Sequence, residues 1–121
     1  MSTPENNPDK AAKVFADDRA NVFHSWSAQG QISPMTVAGG AGSYFWDFNG
    51  KKYLDFSCQL VFTNIGHQHP KVISAIKEQA DILATVAPQH ANEARNEAAK
   101  RITSVAGDSF KKVFFTNGGA D

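Results

Sequence analysis

Asn49-Gly50 lies between two aromatic-rich runs, Tyr44-Phe45-Trp46-Asp47-Phe48 and Lys52-Tyr53-Leu54-Asp55-Phe56. No other stretch of the chain restricts its fold as tightly. Asn-Gly tolerates the positive φ angles of a tight type I′ turn, whose twist matches the strands it joins. Aromatic side chains on the two strands can then meet across the ladder. A lone hairpin is marginal in water and needs further structure to cover.

The segments around it read as follows. Residues 1–7 are polar and rich in Pro and Asn, which predicts a disordered tail. Asn7-Pro8 is a helix start, with Asn7 as N-cap and Pro8 in the first turn. The helix is expected to reach about His24, with Ala11, Val14, Phe15, Val22 and Phe23 as a loose apolar stripe. An irregular stretch from His24 to Gly30 carries Trp26. Met35 to Ala38 is a possible short strand between Ser33-Pro34 and the Gly39-Gly40-Ala41-Gly42 cluster. Residues 57–65 read as extended chain or loop. Pro70 opens a helix to about Leu83, with Val72, Ile73, Ile76, Ala80 and Leu83 on one face. A second helix runs from about Ala91 to Val105, with Gly107 as its C-cap. Lys112 to Phe115 reads as a strand. Helices, then an apolar strand, then a glycine turn form the opening of an α/β domain and not a finished one.

Val113 to Asp121 runs from apolar residues into Asn117-Gly118-Gly119-Ala120-Asp121. A strand, small residues and a helix start present free backbone N–H groups to an anion such as a phosphate. An ordinary strand-to-helix turn has the same spacing, and both readings stand. It is not a Walker loop, since no Gly-Lys-Ser/Thr follows. Trp26 either lines a binding site or is buried by a neighbouring domain. His67 and His69 lie two apart without a third ligand nearby, so no metal site is expected. Their bland reading is a glycine turn followed by a helix start. Asp47 and Asp55 at the strand ends read as structural. Cys58 reads as a buried thiol.

Composition excludes several classes. Lys plus Arg and Asp plus Glu are twelve each, so there is no net formal charge. That balance argues against nucleic acid and acidic membrane surfaces as partners. No apolar run approaches the ~20 residues of a membrane span, and the N-terminus lacks the pattern of a secretory signal. A single cysteine makes no internal disulfide, and a cytoplasmic location is the expectation.

Four stretches, in order, resemble the N-terminal part of the class III (omega) aminotransferases, pyridoxal-phosphate enzymes of fold type I. Gly42 to Phe56 is similar to the family's hairpin, with its D-x-x-G-x-x-Y-L-D pattern. Asn64 to Pro70, followed by Val72, Ala75, Ile76 and Gln79, matches a second stretch. Asn92 to Ala99 resembles the helix before the large domain. Val113 to Asp121 resembles the F-F-x-N-S-G-x-E-A turn. The resemblance implies a fold type I architecture, with a segment 8–69 belonging to the small domain and 70–121 leading into the cofactor-binding large domain. It implies pyridoxal 5′-phosphate as cofactor, its phosphate held at Gly118, Gly119 and Ala120, with Gly119 and Ala120 as N–H donors. Gly118 stands where the family often has Ser, and Asp121 replaces the usual Glu. Trp26, Leu60 and Val61 would help form the substrate wall. Val61 stands where amine-specific relatives often carry a large aromatic residue. The family's Schiff-base lysine, its acidic partner for the pyridine nitrogen and its stacking aromatic all fall beyond Asp121. The implied activity is amino transfer from an amine or amino acid to a keto acid, in a homodimer. The chain alone is expected to be inactive and to leave apolar surface unsatisfied. A non-catalytic α/β interaction module is the alternative, and a nucleotide-phosphate binder would need a further glycine signature.

Overall fold

The structure, a computed structural model, describes residues 5–118. Contacts group the chain into two units, Met1–Glu78 and Gln79–Asp121.

The first unit begins with α1, Pro8–Asn21, capped as the sequence predicts: Asn7 Oδ1 accepts from the Lys10 N–H at 3.0 Å. The cap also has a tertiary role. Asn7 N–H donates to Phe48 O at 2.6 Å, and Asn6 bridges Asn49. The expected disorder over residues 1–7 is therefore wrong for Asn6 and Asn7, which are pinned to the hairpin loop. Helix α1 stops at Asn21, before the expected His24. Val22 is already extended, and His24 is drawn into a separate hydrogen-bonded loop. Ala11 is the one buried hydrophobic residue among those described.

Three strands follow: β1, Val37–Ala41; β2, Tyr44–Asp47; and β3, Lys52–Leu54. They form an antiparallel meander in the order β1-β2-β3. The β2–β3 hairpin lies where Asn49-Gly50 predicts, with Phe45 stacked on Tyr53 at 5.3 Å between ring centroids. Its turn is not type I′. Only Gly50 has positive φ, at 77°. Gly50 N–H donates to Asp47 O, and Asp47 N–H to Lys51 O. This is the three-residue loop that ends in a glycine bulge. The cause is the buried carboxylate of Asp47. Its Oδ1 accepts from the Asn49 and Lys51 N–H groups at 3.0 and 2.9 Å, and its Oδ2 accepts from the Tyr53 hydroxyl at 2.8 Å. Three donors on one side chain select the loop over the shorter turn.

Strand β1 runs through the glycine cluster, further along than the expected Met35 to Ala38. Gly39 and Gly40 serve here as seats for rings. A Cβ on Gly39 would lie 3.0 Å from the Trp46 ring, and one on Gly40 would lie 2.9 Å from His67 Cγ. The β1–β2 turn is Gly42-Ser43, with positive φ at Gly42 alone, the placement expected of a type II′ hairpin.

Helix α2, Pro70–Ile82, starts at the predicted proline. In the second unit, α3, Glu93–Ala106, is capped by Asn92, whose side chain accepts from the Arg95 N–H at 3.1 Å, and is followed by Gly107 at φ 92°. Lys112 to Phe115, expected as a strand, has no ladder among the described residues. A strand exists by pairing, and no neighbouring strand is present among the described residues of this unit. Phe110, Phe114, Val105 and Ile82 stand exposed, as do Phe23, Phe56 and Phe62 of the first unit. The expectation of unsatisfied apolar surface is met.

Asp47 also predicts an acid response. Its hydrogen bond from Tyr53, and those from Lys51 and Asn49, outweigh burial and hold its carboxyl below the ordinary 3.8. The same bond raises the Tyr53 hydroxyl. A carboxyl depressed in the folded state stabilises above its unfolded value, and that contribution is lost as pH falls through the folded one. Stability is therefore expected to fall steeply below about pH 4. In Asp47→Asn the acid limb should be shallower. An unchanged limb in a denaturant titration against pH would contradict this.

Candidate functional site

The first candidate, Trp26, sits on a short loop that Gln29 organises. Gln29 Oε1 accepts from the His24 N–H at 3.1 Å, while Nε2 donates to His24 O at 2.6 Å and to Ser27 O at 2.8 Å. Arg19 donates to Gln29 O, and the His24 ring meets Asp18 at 2.8 Å. Both partners lie on α1, so the loop is tied to a rigid element. At its tip Trp26 has φ 56° and is fully exposed. A bulky residue in the left-handed region is uncommon and costs of order 1–3 kcal/mol. The loop thus holds an indole out from the first unit.

Leu60 and Val61 lie on the segment expected to be extended or loop. It is instead a single helical turn, Cys58–Val61, wound left-handed. The φ angles of Cys58, Gln59, Leu60 and Val61 are 49°, 48°, 60° and 70°. The Val61 N–H donates to Ser57 O four residues back, as in an α-helix, and the Thr63 N–H donates to Cys58 O five residues back, both at 3.0 Å. Left-handed winding puts Cβ against the following carbonyl and costs about 1–2 kcal/mol for each residue with a side chain. Val61, being β-branched, is a genuine outlier there. No glycine or asparagine lies within the turn, so no sequence signal announced it. Leu60 and Val61 are both about four-fifths exposed, at 79% and 80%. Cys58, expected to be buried, is half-buried because the turn carries it toward the surface.

Asp55 stands under this turn. Its Oδ1 accepts from the Gln59 N–H at 3.2 Å, and its Oδ2 lies 3.0 Å from Gln59 Nε2 and 2.7 Å from His67 Nε2. Burial pushes the Asp55 carboxyl up, and the hydrogen bonds from Gln59 and His67 overcome it, leaving the group below its ordinary value. Sequence reasoning treated Asp47 and Asp55 alike as structural. Each organises one turn. His67 belongs to this arrangement, and no metal-ligating group of three is present among the described residues. Gly66 has φ 87°, as its glycine-turn reading implies.

Gly118 is the last described residue, and Gly119 and Ala120 lie outside the described range. Thr116 Oγ1 donates to Gly118 O at 3.1 Å and bends the chain there. Where a Gly118 Cβ would stand, no heavy atom of the described residues comes within 4 Å. Trp26, Leu60 and Val61 belong to the first unit and Gly118 to the second.

The sequence profile of the class-III aminotransferases matches residues 26–121. The chain belongs to the class-III aminotransferase family. The chain is 35% identical over 88 residues to the acetylornithine aminotransferase of Methanopyrus kandleri, covering 73% of the chain and 23% of that protein. It is 35% identical over 108 residues to the acetylornithine aminotransferase of Methanosarcina acetivorans, covering 89% of the chain and 26% of that protein. Among solved structures it resembles the taurine:2-oxoglutarate aminotransferase of Bifidobacterium kashiwanohense in complex with PLP and glutamate. The TM-score is 0.85 and the identity 41%, over 91% of this chain and 25% of that one. The fold is that of the N-terminal part of a fold type I aminotransferase. The chain spans about a quarter of the length of these relatives. No helix among the described residues is long and apolar enough to cross a membrane.

Proposed function

We propose that the protein containing this chain is a pyridoxal-phosphate-dependent aminotransferase that moves an amino group from an amine or amino acid to a keto acid. The observation that carries this reading is the 41% identity, over nearly the whole chain, to an aminotransferase solved with PLP and glutamate. The cofactor, when bound, supplies an electron sink for bond changes at the amino-bearing carbon. This chain contributes binding and shape. Gly118, Gly119 and Ala120 hold the cofactor phosphate, with Gly119 and Ala120 as the backbone N–H donors. The small side chains permit close approach. Trp26, Leu60 and Val61 line the substrate pocket with apolar surface and exclude water. The catalytic lysine comes from the rest of the protein. A second copy completes the site in a homodimer. The single unpaired cysteine suits a cytoplasmic location.

Purified full-length protein is expected to release about one equivalent of pyridoxal 5′-phosphate per chain on denaturation. With 2-oxoglutarate as acceptor it should form glutamate from an amino donor. Taurine and acetylornithine are the first donors to try, given the relatives above. Protein that binds no cofactor and forms no glutamate from a donor panel would remove the proposal.

A further inference from the structure

Four consecutive residues with side chains do not stay wound left-handed without something that holds them. Asp55 holds them here. Its carboxylate takes both the backbone N–H and the side-chain amide of Gln59, the second residue of the turn. Ser57 Oγ, just before the turn, lies 3.4 Å from Oδ1. The same carboxylate meets His67 at 2.7 Å. His67 is itself fixed to the sheet. Its N–H donates to Gly42 O at 2.8 Å, its carbonyl accepts from Gly42 at 3.0 Å, and its ring sits against Gly40 and Phe45. A cavity of about 60 Å³ beside these groups is lined by Gly42, Asp55, Cys58 and His67 among others. That volume admits a few waters and no substrate. The cluster therefore acts on the segment it grips, and that segment carries Leu60 and Val61.

We infer that Asp55 is a positioning residue for substrate selection: by fastening Gln59 to the His67-anchored sheet, it fixes where Leu60 and Val61 project. The inference rests on the reading of Leu60 and Val61 as substrate wall, and the grip itself does not. Loss of the grip lets the turn leave its strained winding, so the wall moves and the pocket changes shape. The reacting atoms are untouched.

The test uses full-length holoenzyme with Asp55→Ala, and with Gln59→Ala, which removes one side-chain contact and keeps the backbone one. The measured quantity is the ratio of kcat/KM for a compact and a bulky amino donor. A merely structural defect lowers the active fraction and scales both values equally, leaving the ratio unchanged. The expected result is a roughly tenfold change in the ratio for Asp55→Ala and a smaller one in the same direction for Gln59→Ala. In a Leu60→Ala background, Gln59→Ala should add little. Hydrogen exchange gives a second reading. The Val61, Phe62 and Thr63 amides, bonded to Ser57 and Cys58 carbonyls, should lose protection in both variants while the strand amides keep theirs. Ratios that stay within about twofold of wild type in every folded variant overturn the role in selection. Unchanged protection overturns the grip. If Asp55→Ala does not fold, Gln59→Ala decides both points. If wild-type enzyme transfers no amino group, the amino-transfer reading fails, while exchange still decides the grip.

Discussion

Gly66→Ala is expected to destabilise the protein by about 2–3 kcal/mol, seen as a loss in denaturant midpoint with little change in slope. Two separate costs meet at this position. Gly66 has φ 87°, where an L-residue is strained by about 1–2 kcal/mol. A Cβ there would also lie 3.1 Å from Gly42 O and 3.3 Å from Gly42 C and Cα. These are backbone atoms, and they cannot easily retreat. Gly42 O accepts from the His67 N–H at 2.8 Å, so moving it weakens the bridge between sheet and loop. Gly107 separates the two costs. It has positive φ, at 92°, but open space where a Cβ would go. Gly107→Ala, at φ 92° and ψ 166°, should therefore cost only the conformational part, about 1–3 kcal/mol. A loss at Gly66 below about 1 kcal/mol would show that crowding against Gly42 contributes nothing.

The 121-residue chain on its own is expected to show no measurable amino transfer, against the full-length protein assayed in parallel. The first reason is chemical. On the proposed reading the Schiff-base lysine is supplied from outside these 121 residues. The second is energetic. Ala11 is the only buried hydrophobic residue among those described, while Phe23, Phe56, Leu60, Val61 and Phe62 of one unit are more than two-thirds exposed. Folding is driven largely by apolar surface removed from water, at roughly 25 cal/mol per Å². That gain must offset about 1–2 kcal/mol of backbone entropy per residue. The isolated chain leaves most of its large apolar side chains in water. Its amides should accordingly exchange fast, with the β1–β2–β3 meander the last to lose protection. Cooperative protection across both units, or glutamate formation by the isolated chain, would reverse this expectation and favour a self-sufficient module.

Much of the fold is legible in the sequence where a local signal has a local cause. Asn7-Pro8 marks the start of α1 and Pro70 the start of α2, because caps and ring constraints act within one turn of chain. The hairpin at Asn49-Gly50 is also legible, but its register is not: a two-residue turn there would set Phe45 opposite Leu54, whereas the structure pairs Phe45 with Tyr53. The exact loop is not legible either, since the deciding group, the Asp47 carboxylate, acts through three partners at once. The glycines at 39 and 40 were misread for a similar reason. As sequence they resemble turn punctuation. In the structure they are a strand whose missing side chains make room for Trp46 and His67, and no local pattern reports a neighbour from the next strand or loop.

The candidate site divides along the same line. Motif order identifies the family and marks Trp26, Leu60, Val61 and the terminal glycines as positions of interest. Those marks depend on residue types at fixed spacings, which the chain carries whether folded or not. The left-handed turn does not follow from Ser57-Cys58-Gln59-Leu60-Val61, whose residues all prefer other conformations. Only the tertiary structure decides it. Asp55 on the strand side, itself held by His67 from beyond the loop, grips Gln59, and these hydrogen bonds hold a winding that none of the turn's own residues favours. Sequence thus determines which residues the turn carries. Long-range contacts determine where they project, because backbone strain persists only when distant partners hold it.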